Sequence, residues 1–223
     1  MHQFSKAGLA AAALLLGAGA MAQVAGTLSA RAGFTHIAPQ VDSGNLSAPA
    51  FPHTTVDVDA ATSLSGGINY MVTDHWAVDV PLALPFKHDI VGDGAIAGVG
   101  KLGETKVLPF TVFAQYRFGE PEARFRPYVG VGVTYSRFFK NRTTATLSGL
   151  TGGTPSHPTT ASIDNKWGIT PQIGFVWKIN DRWFIDAAYY KSFLKTTTHL
   201  SSGQSITTRL NPNVIAVGVG YQF

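Results

Sequence analysis

The 223-residue sequence contains no cysteine. That excludes disulfide frameworks, thiolate nucleophiles and Cys-based metal sites. Charge is also scarce, at 13% of the chain, against a globular norm of roughly 25%. The net charge of +4 is small and dispersed, so it gives no electrostatic footprint for nucleic acid. Beyond residue 22 no apolar run approaches the roughly 18 residues that a spanning helix needs, which excludes a helical membrane protein. Disorder is excluded as well, because 45% of the residues are apolar and 11% aromatic.

What is present begins with a targeting pattern. Lys6 precedes an unbroken apolar run from Ala7 to Ala20, and Ala20-Met21-Ala22 forms a small-x-small cleavage site before Gln23. This is the layout of a secretory signal peptide. Residues 1–22 are therefore expected to be removed, leaving 23–223 as one exported unit. An exported chain without cysteine suits a bacterial envelope.

The remainder alternates with period two, the signature of strands. Leu108, Phe110, Val112, Ala114, Tyr116 and Phe118 share one face, with Pro109, Thr111, Phe113, Gln115 and Arg117 on the other. Phe125–Ser136 and Ile215–Phe223 repeat the arrangement. Such runs exceed the usual soluble strand of about 5–6 residues. Their apolar faces are nearly free of charge and end in aromatics, while the opposite faces carry Gly, Ser, Thr, Gln and charge. An apolar exterior with aromatic girdles around a polar interior describes a transmembrane β-barrel. A soluble sandwich would have to bury Arg, Asp and Lys.

Eight strands are predicted: 25–37, 55–72, 76–88, 106–118, 125–139, 166–179, 183–195 and 207–223. Short polar turns alternate with long loops rich in Gly, Ser, Thr and Pro, which places both termini on the periplasmic side. The fold class read from the sequence is all-β, an eight-stranded antiparallel transmembrane barrel in the outer membrane of a Gram-negative bacterium. Its surroundings would be outer-membrane lipid and lipopolysaccharide.

The signal peptide, RAGF at 31–34, LPFKHDI at 84–90, LPFTVFAQYRFG at 108–119, FRPYVGVGVTYSRFF at 125–139, DNKWGI at 164–169 and RLNP followed by GVGYQF at 209–223 together resemble the outer-membrane protein W family. FRPYVGVG is the most specific piece. The resemblance implies an eight-stranded barrel that binds or passes small hydrophobic molecules, with phage or bacteriocin as alternative partners of its loops. It implies no active site.

Motifs for chemistry are thin. Gly98–Gly103 matches a dinucleotide glycine pattern but lacks a following helix. The histidines are scattered rather than clustered for a metal. A barrel enzyme would need a Ser–His pair, for which His36 and His88 are the rim candidates if both face lipid. No enzymatic activity, cofactor or metal is expected.

An eight-stranded barrel admits only side chains or one slim ligand, so its inner face defines its function. Near the periplasmic turns that face is expected to hold Asp79, Arg117, Arg126, Lys178 and Asp186 as a paired plug, since unpaired buried charge is costly. Toward the loops, Ile37, Pro85, Pro109, Phe113, Ser136 and Phe138 are expected to form an apolar pocket edged by Asp57, Asp59 and Lys87. Pro81, Pro85, Pro109, Pro127 and Pro171 fall inside predicted strands, where each removes a ladder donor. Pro85 and Pro109 mark a possible weak seam between the third and fourth strands. The alternative is that these prolines only mark bulges. Lys191 would face lipid unless a bulge or snorkelling intervenes.

Overall fold

The computed structural model describes residues 23–223, so the expected signal peptide lies outside the described residues. Eight strands form the barrel: β1 (Leu28–Ala38), β2 (Ala61–Met71), β3 (Trp76–Ala83), β4 (Lys101–Arg117), β5 (Phe125–Thr143), β6 (Lys166–Lys178), β7 (Trp183–Lys191) and β8 (Asn213–Gln222). Each pairs antiparallel with its sequence neighbours, and β1–β8 pairing closes the ring. Closure satisfies the backbone that lipid would leave unpaired.

Burial is inverted relative to a soluble protein. Phe34, Leu64, Val131, Val133, Ile169 and Val217 are exposed on the outside, while Asp79, Gln115, Arg117, Arg126 and Thr170 are buried inside. Aromatics gather at the periplasmic rim, where Tyr116 meets Trp76 and Phe118, Phe125 meets Trp177, and Trp183 meets Tyr221. Tyr135 and Trp167 pack together near the opposite rim. Inward glycines make room for the few large rings inside. A Cβ on Gly174 would lie 2.5 Å from the Tyr128 ring, and one on Gly132 would lie 2.6 Å from that of Phe113.

The long connections are more ordered than their composition predicts. Residues 54–58 pair with 86–94, which pair in turn with the outer half of β4 and raise the wall above the membrane. Segments 42–43, 205–209, 195–200 and 161–163 form a separate four-stranded sheet. A short helix, Ala145–Leu150, starts where the Thr144 hydroxyl accepts the Leu147 N–H. The predicted second, third, seventh and eighth strands are each interrupted, at 59–60, 84–85, 192–194 and 210–212. The seventh stops at Lys191, which is half-buried and donates from Nζ to Asn213 Oδ1 at 2.8 Å.

Candidate functional site

The most consequential local feature is the break at Leu84–Pro85. Along β2, β3 stays paired as far as Ala83, but along β4 its pairing stops at Asp79–Phe113. Pairing with β4 resumes only at Phe86–Val107. Six positions, 80–85, thus face five, 108–112, the arithmetic of a bulge. Pro81, Pro85 and Pro109 all lie in or beside this unpaired stretch, where their missing N–H leaves nothing to donate. Pro127 and Pro171, by contrast, sit within continuous ladders.

The extra residue reverses the parity expected for the third strand, because a one-residue slip exchanges the two faces. Pro85 is exposed rather than inward, and so is Lys87. Phe86 and His88 turn inside and are buried. His88 is therefore not a lipid-facing residue, and it shares no face with His36, which is exposed and hydrogen-bonded to Thr62. The His88 ring lies over Phe86, and its Nδ1 is 2.7 Å from the Asp59 carbonyl, to which it donates. Burial lowers the pKa of this extracellular histidine, favouring the neutral ring.

Above this level the barrel encloses a cavity of about 540 Å³. Ile37, Pro109, Ser136 and Phe138 line it, joined by Phe86, His88, Val107, Leu194, Ile206 and Val214. Phe113 lies against Tyr190, which borders the cavity, with ring centroids 5.2 Å apart. Asp57 and Asp59 are exposed, while their neighbours Val56 and Val58 line the space. Loop residues Leu46, Phe51, Leu147 and Leu200 extend the apolar wall upward. Pro81, Leu82 and Ala83 of β3 and Pro109 and Thr111 of β4 also border it, on both sides of the unpaired stretch. A row of hydroxyls, Thr111–Thr134–Thr170–Ser192, crosses β4, β5 and β6 and reaches the residue just past β7, with spacings of 2.7–2.9 Å.

Below the cavity the interior is filled. Asp79 is bound by Arg31 at 2.5 and 2.9 Å, and Arg31 Nε lies 3.4 Å from Asp186. Tyr128 donates to Asp186 at 3.1 Å. Asn69 donates to Gln115 at 3.0 Å, and Gln115 to Gln172 at 2.9 Å. The cation expected to satisfy the two carboxylates was Arg117, Arg126 or Lys178. The one that does so is Arg31, which was not among the expected plug residues although alternation from Ile37 through Thr35 and Gly33 puts it on the inner face. Arg117 instead donates to the Gln23 side chain at 2.6 Å and lies over Tyr128. Arg126 donates to the carbonyls of Gln23, Asp74 and Gly119, and Lys178 to that of Pro121.

Outside the membrane-facing band, Glu104 joins Lys87 at 2.7 Å and Lys101 at 2.9 Å. Those hydrogen bonds, the Lys87 one first, hold its pKa down to about 2. Gly98 and Gly100 lie in a turn that enters β4, not a helix.

The OmpW family model matches residues 24–223. Outer membrane protein W of Vibrio cholerae is 33% identical over 97% of both chains. The dibenzothiophene metabolism operon protein PahQ of Pseudomonas aeruginosa is 25% identical over 86% of this chain and 87% of its own. The crystal structure of OprG from Pseudomonas aeruginosa superposes with a TM-score of 0.80 at 26% identity, covering 91% of this chain and 99% of that one. The closed eight-stranded ring, its inverted burial and these matches agree: the chain belongs to the OmpW family and is an outer-membrane β-barrel of a Gram-negative bacterium.

Proposed function

We propose that the barrel takes up small hydrophobic molecules in its outer cavity and releases them sideways into the bilayer between β3 and β4. The observation that carries this reading is that one apolar cavity borders both flanks of the unpaired stretch. A route straight through would break the Arg31–Asp79–Asp186 cluster and the amide chain beneath it. A desolvated ion pair resists that, because separating it leaves bare charge in a low dielectric. The PahQ relative, a dibenzothiophene metabolism operon protein, supports an apolar solute. No cofactor or energy source enters the scheme. At the outer rim, Lys106, Arg137 and Lys140 lie above the apolar band, where lipopolysaccharide phosphates would meet them.

The test is paired flux. Liposomes containing the barrel should accumulate a fluorescent apolar solute faster than empty liposomes, while planar bilayers show little ion current. A large, steady ion conductance without solute uptake would overturn the proposal and leave a receptor barrel with recognition loops.

A further inference from the structure

The periplasmic mouth is closed by Gln23, the first residue after the expected cleavage site. It is buried. Its Oε1 accepts from Arg117 at 2.6 Å, and its backbone carbonyl accepts from Arg126 at 3.1 Å. Its backbone nitrogen donates to the Pro121 carbonyl at 3.2 Å, the same oxygen that Lys178 Nζ binds at 2.5 Å. The amide nitrogen Nε2 is buried without a hydrogen-bond partner.

Two of these facts conflict with an ordinary N-terminal glutamine. Once residues 1–22 are removed, the backbone nitrogen becomes an α-ammonium. It would be a further cation beside Arg117, Arg126 and Lys178, sharing its acceptor with the last. Burying like charges together is costly. The Asp74 carboxylate already accepts from the Ala25 N–H at 2.9 Å, and Glu120 and Glu122 are exposed. The orphaned Nε2 adds the cost of an unsatisfied buried donor.

One covalent step resolves both conflicts. The neutral α-amine attacks the side-chain Cδ, an N–Cδ bond forms, the Cδ–Nε2 bond breaks, and Nε2 departs as ammonia with one amine proton. No co-reactant is needed. The lactam keeps its carbonyl oxygen for Arg117 and one N–H for Pro121. It discards the nitrogen that has no partner and removes the terminal charge. We propose that the mature protein carries pyroglutamate at position 23, as the uncharged stopper of the periplasmic mouth. This rests on cleavage after Ala22, and the experiment separates the two.

The protein is purified from outer membranes and its N-terminal peptide sequenced by tandem mass spectrometry. A synthetic peptide beginning with free glutamine, added at lysis, measures cyclisation during handling. The expected peptide starts at position 23, lighter by one ammonia, while the added control stays largely open. A peptide starting at 23 with a free amine would overturn cyclisation while upholding the cleavage. A peptide starting elsewhere would overturn both. In a second arm, barrels refolded from cyclised and free-amine chains are compared for unfolding in detergent. The cyclised form should unfold several-fold more slowly, and equal rates would overturn the stopper role.

Discussion

The two halves of this barrel share the same strands and the same alternation, yet their interiors are opposites. On the periplasmic side Arg31, Asp79, Asp186, Asn69, Gln115 and Gln172 interlock and fill the lumen. On the outer side Ile37, Phe86, Val107, Leu194 and Val214 stand back from an open cavity. The contrast teaches that wall geometry does not decide what an eight-stranded barrel does. Its lumen has room for side chains or a slim ligand, and the inner-face sequence selects one or the other at each level. The unpaired stretch between β3 and β4 borders the open half, while below Asp79 and Phe113 the two strands are paired to the rim.

The strongest way to break the filled half is Arg31→Ala. It strands two buried carboxylates and should cost roughly 3–5 kcal/mol, read as loss of heat-resistant compact migration on unboiled gels. Arg117→Ala removes a charged hydrogen bond to Gln23 but leaves both carboxylates paired. It should cost about 1.5–3 kcal/mol, measured by urea unfolding in detergent. A cost equal to that of Arg31→Ala would show that the plug acts as one unit. In the open half, Ser136→Phe projects a ring into the cavity and should reduce apolar-solute uptake several-fold while the barrel migrates as before. Unchanged uptake would place the solute elsewhere.

The smallest effects concern pH. His88 is held neutral by burial, so the unfolded wall binds more protons than the folded one at pH values below the ordinary histidine pKa of about 6.5. The protection factors of residues 86–91, with the intrinsic pH dependence of amide exchange divided out, should therefore fall as pH drops from neutrality through this range, and less so in His88→Phe. Glu104 behaves as a depressed carboxylate. Its stabilising contribution is complete above the ordinary glutamate pKa of about 4.3 and is lost only as pH falls through about 2.

Much of this was legible in the sequence. Period-two alternation in 108–118 and 125–136 placed Thr111, Phe113, Gln115, Arg117, Arg126 and Ser136 on the faces where they lie. It also held the information for Arg31, two steps from Gly33 on the inner face. What alternation lacked was the bulge at Leu84–Pro85, because period two has no memory once a residue is inserted. Pro85 and Lys87 were therefore read inward, and His88 outward. Proline marked the place of the break but not its size. The order of the outer loops was hidden for a different reason. Segments 195–200 and 205–209 are Thr-rich, and although they pair with each other as a hairpin, their outer neighbours 161–163 and 42–43 lie far away in the chain.

The central claim is that solute leaves through the gap between β3 and β4. The absence of native cysteine allows it to be tested directly. One cysteine is placed among Val80–Ala83 and one among Leu108–Val112, and the two are joined by a reducible cross-linker. Uptake of an apolar solute into liposomes is then measured before locking, after locking and after reduction. Lateral exit predicts uptake that falls on locking and returns on reduction, whereas undiminished uptake through a barrel shown by mass to be fully cross-linked would contradict it.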